Sequence, residues 1–350
     1  MRLSTIALVG EFDAGIESVF TAGVGRRVVD LSRGRVDVQS GTLQIYDPIL
    51  HTIQSVFSAT RIVPTEFTLW HTPEYALSTT NPSSPEWIGF LRTADALLLV
   101  VSCDGDLEIA AEQVSTLRME LALLDLAVIE SAQARLRKHL ESGPRIERRA
   151  SRTQLELLEQ ITHALESSHH IGNTLEPHEL VSLHEYSLLT TKPTVVALNV
   201  PDDAAAVTET KRSEANLSTW CVIAGSTEAE LPDLPPEDIA AFQADLGMSS
   251  SAASRLGHAA QRALDFIVFY TGNSSSVNAW NLARGQSALV AARSIHSDLA
   301  DGFVRADVAS AGKLVEAGSW ARLRELGELQ RVGREYIVEN RDVIEVHFSR

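Results

Sequence analysis

The chain has 350 residues, and its 44% hydrophobic and 22% charged content is typical of a folded protein with two or three domains. Its net charge of −16 argues against DNA and membranes as non-specific partners. Residues 265–350, with ten Lys/Arg and eleven Asp/Glu, are nearly neutral and would repel RNA less than the rest of the chain. The chain has two cysteines, no apolar stretch near the roughly 18 residues that span a bilayer and no signal-peptide pattern, so we expect a cytoplasmic protein.

A candidate phosphate-binding loop follows the first predicted strand, Leu3–Val9. Gly10 and Gly15 have the spacing of the glycines in G-x-x-x-x-G-K-[ST], in which backbone amides hold phosphates while the Lys and the hydroxyl serve the terminal phosphates and Mg²⁺. Here Ile16 stands at the Lys position and Glu17 at the Ser/Thr position. The spacing alone also fits an ordinary strand–turn–helix corner.

The charge of this loop is negative, because Glu11 and Asp13 accompany Glu17. At about 4 Å and an effective dielectric constant near 20, one like-charge pair costs roughly 4 kcal/mol. We therefore expect weak phosphate binding and no Mg²⁺ site.

An α/β pattern continues after the loop, with strands and helices in alternation. The predicted elements are a helix at Ile16–Ala22, an exposed connection at Gly23–Gly34, strands at Val36–Val38 and Leu43–Tyr46, a helix at Leu50–Phe57, a strand at Phe67–Trp70, a helix at Pro85–Arg92 and a buried strand at Ala96–Ser102. This order predicts a parallel sheet with right-handed crossovers. His71 to Glu74 follow a strand at the place where P-loop NTPases keep an Asp and a Gly for Mg²⁺ and the γ-phosphate.

A heptad pattern then predicts a long helix. Its apolar seam consists of Leu107, Ala110, Val114, Leu117, Leu121, Leu124 and Val128. Gly143-Pro144 ends this helix and a second one spans Ser151–Ser168, so the pair is predicted to form an inserted antiparallel hairpin. The alternative is a coil that binds a partner or a second copy. Five histidines near the second helix (His163, His169, His170, His178 and His184) fit a solvated cluster better than a zinc site.

The α/β pattern resumes with a strand at Lys192–Leu198 and another at Trp220–Ile223. Asn199 and Asp202 follow the first of these strands, where open sheets bind ligands, although Asn-x-x-Asp is also a common turn. Helices at Glu237–Leu246 and Ala252–Leu264 read as a linker. A final module of about 85 residues is predicted to be α+β, with strands at Phe266–Tyr270, Val277–Trp280, Phe303–Val308, Tyr336–Val338 and Val343–Phe348 and helices at Ala288–Ser294 and Leu314–Leu326.

The residues of this module resemble the C-terminal TGS domain of the YchF family, the Obg-related ATPases. The matching segments are Ser297-Asp298, Gly302 to Ala306, Val315 to Trp320, Gly333 to Val338 and Asp342 to Ile344. Further back, Asn199 to Asp202 is similar to the family's base-recognition motif N-x-x-E, and Asp47-Pro48 is similar to its D-P-R-L segment. The resemblance covers most of the chain in the family order.

The resemblance implies a fold and a domain organisation. We expect an α/β P-loop NTPase-like (G-domain) sheet with helices on both faces, an inserted antiparallel coiled-coil hairpin, and a C-terminal α+β, β-grasp-like TGS domain. The expected boundaries are 1–105 and 190–235 for the P-loop domain, 106–189 for the insertion, 236–264 for the linker and 265–350 for the TGS domain.

The departures from the family pattern lie where its chemistry should be. Besides Ile16 and Glu17, the family's D-I-A-G falls on His71 to Glu74 and its S-A-K falls on Ala224 to Ser226, although Ser18 remains. We therefore predict a degenerate member that has lost NTP hydrolysis, with no catalytic residues, no metal and no required cofactor. The alternative is a weak ATP- or GTP-binding switch with Gly10, Gly15, Ser18, Asn199 and Asp202 as its nucleotide site.

The resemblance also implies partners. It predicts contact with ribosomes or RNA through the TGS module, for which Trp280, Arg284, Arg293 and Arg305 are candidates, while Trp280 also fits a core position. A further hypothesis is a regulatory protein that binds a protein partner through the coiled coil. Neither DNA nor a membrane is expected as a partner.

Overall fold

A computed structural model describes residues 3–25, 28–33, 36–73, 77, 84–142, 148–168, 171, 175, 177–234 and 236–349. The strands are β1 (Thr5–Gly10), β2 (Val28–Arg33), β3 (Val36–Ile45), β4 (Arg61–Val63), β5 (Thr65–His71), β6 (Ala96–Ser102), β7 (Thr194–Asn199), β8 (Trp220–Ile223), β9 (Phe266–Gly272), β10 (Ser276–Ala283), β11 (Phe303–Ser310), β12 (Gln330–Val332) and β13 (Asp342–Phe348).

The helices alternate with these strands in the first part of the chain. They are α1 (Ile16–Val24), α2 (Ile49–Phe57), α3 (Pro85–Leu91), α4 (Leu107–Ser142), α5 (Arg148–Ser168), α6 (Pro177–Leu183), α7 (Asp202–Glu214), α8 (Gly225–Glu228), α9 (Pro236–Asp245), α10 (Ala252–Ala263), α11 (Ala288–Ile295), α12 (Ser297–Asp301), α13 (Ala311–Ala317) and α14 (Trp320–Leu326). Within the described ranges, none of them is both long and apolar enough to cross a membrane.

A seven-stranded sheet with the order β2-β3-β5-β1-β6-β7-β8 confirms the predicted α/β fold. Strands β1, β6, β7 and β8 pair in parallel, so the carboxyl ends of β1 and β7 lie at one edge of the sheet. The continuous apolar run of β6 is buried through its first six residues, as expected for a central parallel strand. The predicted exposed connection at Gly23–Gly34 was wrong in part, because β2 forms there and pairs antiparallel with β3.

The heptad residues of the long helix α4 do not pack mainly against α5, as the predicted hairpin requires. The seam residues that pack in or against the α/β core are Leu107, Ala110, Val114, Leu117, Leu121 and Leu124. The cluster shared with α5 uses other positions: Ala122, Ile129 and Ala132 of α4 with Leu158, Ile161 and Leu165 of α5, and Val128 at its margin. The apolar stripe therefore fixes the base of α4 to the sheet, and a rotated face pairs with α5.

The C-terminal strands form a six-stranded sheet with the order β12-β11-β13-β9-β10-β4. Its two faces are covered by separate apolar clusters, one of which includes α11 and the other α2, α13 and α14. Two predictions fail here. Residues 336–338 form only an isolated bridge, Ser287 to Ile337, and not a strand. The predicted helix Leu314–Leu326 is split, because Gly318 ends α13 with φ 71° and Ser319 caps α14.

The chain divides into two compact units at other places than the predicted boundaries. One unit contains residues 4–41 and 69–252, and the other contains 1–3, 42–68 and 253–350. The second unit includes residues 42–68 because β4 pairs with β10 and α2 packs against β10. The Tyr270 hydroxyl also donates a 2.5 Å hydrogen bond to Asp47, which belongs to the Asp47-Pro48 segment compared above with D-P-R-L.

Candidate functional site

The candidate phosphate loop joins β1 to α1, and both of its glycines are required by close contacts. Gly10 ends β1, and a Cβ there would lie 2.6 Å from the carbonyl oxygen of Val100. Gly15 caps α1 in the left-handed region at φ 71°, ψ 41°, which L side chains rarely adopt. A turn that requires glycine at both positions therefore joins β1 to α1 at the predicted place.

The side chains after Gly15 differ from those of a nucleotide-binding loop. Ile16 is 8% exposed and belongs to the core, with its Cγ1 only 3.3 Å from where a Gly10 Cβ would be. Glu17 is exposed in the first turn of α1, so it places a carboxylate at the helix end that favours anions. The Ser18 hydroxyl donates to Gly15 O at 2.8 Å. The loop therefore presents an acid where phosphate chemistry needs a cation.

Asn199 holds this loop from the carboxyl end of β7. Its Nδ2 donates to Ala14 O at 2.9 Å, and its Oδ1 accepts from the Gly225 amide at 3.1 Å. A Cβ on Gly15 would lie 2.2 Å from Asn199 Nδ2, so the contact is tight. One side chain thus connects the loop, β7 and the start of α8, and the structure brings together four predicted site residues: Gly10, Gly15, Ser18 and Asn199.

Asp202 lies at the start of α7 and has a partner that the sequence did not indicate. Its Oδ2 accepts a 2.6 Å hydrogen bond from the hydroxyl of Thr227 in α8. The carboxylate that was predicted to contact a base is thus bonded to Thr227, the residue that follows the Ala224–Ser226 segment. The backbone amide of Gly225 was also missed, because no side-chain pattern reports a backbone donor.

His71 ends β5 on the other side of β1, where the sequence places the D-I-A-G equivalent. Its ring is buried 5.4 Å from the ring of Phe20, and burial lowers its pKa while Glu17 acts in the opposite direction. A neutral imidazole is therefore favoured here, and it supplies neither a Mg²⁺-binding carboxylate nor a fixed positive charge. Glu74, named with His71 from the sequence, lies outside the described residues.

A cavity of about 60 Å³ opens beside the loop, between it, β6 and α4. Its polar lining comes from Glu11, Asp13, Ser102 and Gln113. Ligand pockets for small organic molecules measure roughly 300–1,000 Å³, so this space suits a few water molecules and its charge opposes an anion. Phe12, at the tip of the loop, is 65% exposed and does not fill the space.

The candidate RNA-binding residues lie on separate elements of the C-terminal sheet and helices. Trp280 of β10 is partly buried against Phe269 and donates to Thr271 Oγ1 at 3.0 Å. Arg284 follows β10 and bonds Asp265, and Arg293 is exposed on α11. Arg305 of β11 is three strand spacings from β10, or about 14 Å. Trp280 and Arg305 therefore do not touch each other across the sheet.

Comparisons with known proteins agree with the predicted resemblance. The YchF-GTPase_C family model, described as "Protein of unknown function (DUF933)", matches residues 266–349. The chain is 28% identical to the Ribosome-binding ATPase YchF of Haemophilus ducreyi over 98% of each chain, and 25% identical to the protein of that name from Bacillus subtilis over 99% of each. It is 23% identical to the Obg-like ATPase 1 of Saccharomyces cerevisiae, over 88% of this chain and 84% of that one.

A solved structure shows the same fold. The Schizosaccharomyces pombe YchF GTPase matches with a TM-score of 0.80 and 19% identity, over 99% of this chain and 97% of that chain. The sequence similarity runs through both compact units, from the phosphate loop to the last strand. Over nearly its whole length, the chain is therefore similar to proteins of the YchF family.

Proposed function

We propose that this chain is a ribosome-associated protein of the YchF family that does not hydrolyse nucleotide and acts by binding. The ribosomal partner is supported by the relatives, which are named ribosome-binding ATPases and align with nearly the whole chain. The loss of hydrolysis is supported by the residues of the phosphate loop. The expected TGS module and coiled-coil hairpin are the parts that we assign to partner binding.

The observation that carries the proposal is the pair Ile16 and Glu17. Ile16 is a buried core residue where a P-loop Lys would reach the β- and γ-phosphates. Glu17 replaces the hydroxyl that holds Mg²⁺, and an acid about 4 Å from a phosphate costs roughly 4 kcal/mol at an effective dielectric constant near 20. Phosphoryl transfer depends on positive charge at the transferred group, and the described loop supplies none.

A second candidate function is an ATP-binding switch with weak hydrolysis. It is supported by the names of the relatives, which are ATPases, and by the intact loop backbone that Asn199 holds. Under this candidate, Asp202 exchanges its bond to Thr227 for a contact with the base.

Calorimetric titration with ATP and GTP, each with and without Mg²⁺, separates the two candidates. The non-hydrolysing candidate predicts no binding in the micromolar range, no effect of Mg²⁺ and no turnover above a buffer blank. Micromolar binding that requires Mg²⁺, together with turnover that Gly15→Val abolishes, would establish the switch instead.

Ribosome association is tested separately by sedimentation of the full chain with purified ribosomes. We expect co-sedimentation that is unchanged by ATP, because no nucleotide-dependent state is predicted. A chain that remains in the supernatant at low and at physiological salt would refute the ribosomal partner without bearing on the nucleotide site.

A further inference from the structure

Three side chains able to bind a metal meet on one face of the C-terminal sheet. Asp307 of β11 lies directly opposite Glu345 of β13, and His347 is two residues further along β13. Residues two apart on a strand share a face, so all three point to the same side. One ligand atom of each lies within 4.8 Å of the others, the one such group of three or more His, Cys, Asp or Glu among the residues that the structure describes.

These side chains are held in place by their own contacts. The side chain of Asp307 is 3% exposed, and its Oδ2 lies 3.0 Å from His347 Nε2. Glu345 Oε2 accepts a 2.7 Å hydrogen bond from Trp320 Nε1 at the start of α14. Glu345 is exposed and His347 partly so, which leaves the group open to solvent on one side.

We propose that Asp307, Glu345 and His347 form a binding site for a divalent transition metal of the Zn²⁺ class. Zinc bonds to imidazole nitrogen and carboxylate oxygen are about 2.0–2.2 Å long, which in a tetrahedron places ligand atoms roughly 3.3–3.6 Å apart. The observed spacing, from 3.0 Å to at most 4.8 Å, brackets this value. The imidazole ligand selects against Mg²⁺ and Ca²⁺, which prefer all-oxygen sites. A fourth position remains for water.

Two arginines compete with a metal for the Asp307 carboxylate, and a third, Arg305, lies two residues before Asp307 on β11. Arg331 Nε is 3.6 Å and Arg324 Nη2 is 4.0 Å from Asp307 carboxylate oxygens. Both arginine side chains are more than 60% exposed, so they can turn outward when a metal enters. Arg305 lies opposite His347, and its buried Nε makes no hydrogen bond. Metal binding and arginine pairing are therefore alternative ways to neutralise the buried carboxylate.

Spectroscopic titration with Co²⁺, a substitute for Zn²⁺, tests the proposed site. The tag-free full chain is titrated with Co²⁺, the visible absorption of tetrahedral Co²⁺ is recorded, and Zn²⁺ is added to displace it. We expect one equivalent of Co²⁺ bound in this way. His347→Gln should remove that equivalent, whereas His296→Gln, at an exposed histidine beside Asp298 in the same unit, should leave it unchanged.

Arg331→Gln is the decisive variant, because it should tighten binding about tenfold by removing a competing charge. Asp307→Asn should abolish binding, and circular dichroism checks that each variant is folded. If Asp307→Asn does not fold, His347→Gln still tests the site, because His347 is partly exposed and its substitution should leave the fold intact. The proposal is overturned if no tetrahedral Co²⁺ signal forms, if His347→Gln binds like the parent chain, or if Arg331→Gln weakens binding.

Discussion

The contact between Gly15 and Asn199 allows a quantitative test of how the phosphate loop is held. In Gly15→Ala, the left-handed backbone at φ 71° costs about 1–2 kcal/mol for a residue with a Cβ. The new Cβ also lies 2.2 Å from Asn199 Nδ2, so that side chain must leave its hydrogen bonds to Ala14 and Gly225. At about 0.5–1.5 kcal/mol for each bond, the total loss is about 2–5 kcal/mol.

The double-mutant cycle isolates the side-chain part of this cost. In an Asn199→Ala background the hydrogen bonds are already lost, so Gly15→Ala should cost only the backbone strain of about 1–2 kcal/mol. Urea unfolding followed by tryptophan fluorescence, to which the buried Trp70 and Trp87 of the same compact unit contribute, measures each free energy of unfolding. Equal costs in the two backgrounds, within about 0.5 kcal/mol, would refute the inference that Asn199 holds the loop.

Three further changes test other parts of the structure. Asp125 is fully buried and accepts hydrogen bonds from Arg92, Leu189 and Thr190. Asp125→Ala should therefore lower the free energy of unfolding, measured by urea titration, by about 3–5 kcal/mol. The control Glu130→Ala, at an exposed position of the same helix, should change it by less than about 0.5 kcal/mol. Burial raises the pKa of Asp342, so the folded state binds this proton more tightly than the unfolded chain does. The free energy of unfolding should therefore fall as pH rises from about 4 through the folded-state pKa. Asp342→Asn should flatten that decline, and an unchanged slope would contradict the assignment. The double change Ile16→Lys with Glu17→Ser adds a cation and removes an acid, so it should strengthen ATP binding in the presence of Mg²⁺ on the order of 100-fold. Calorimetry measures this affinity, and no gain would mean that other residues block the site.

Sequence patterns predicted the fold where burial dictates residue type. The apolar run of β6 has the predicted bounds, because a central parallel strand must be apolar on both faces. The short apolar strand β8, at one edge of the sheet, also has the predicted bounds. The edge strand β2 was missed, since its first residues are exposed and its surroundings are rich in Gly and Arg. The three-residue strand β4 was missed because its pairing with β10 is a long-range contact that local composition does not report.

The candidate site was predictable in position and not in its contacts. Spacing placed Gly10 and Gly15 correctly, because a tight turn between strand and helix needs residues without a Cβ. The bonds of Asn199 go to backbone atoms 185 and 26 residues away in the sequence, and these bear no residue-type signal. The proposed metal-binding group on β11 and β13 was not predicted from the sequence, because it depends on the register that sets Asp307 opposite Glu345.

The inclusion of residues 42–68 in the C-terminal compact unit has a consequence for how the protein is made and dissected. A fragment that begins at residue 253 would lack β4 and α2, and would expose the edge of β10 and part of the apolar face beneath α2. During synthesis, these early residues leave the ribosome long before β10 exists, so they must wait for about two hundred further residues before their pairing is complete. Until that pairing forms, the apolar residues of α2 that pack in the C-terminal core have no partner surface from this unit.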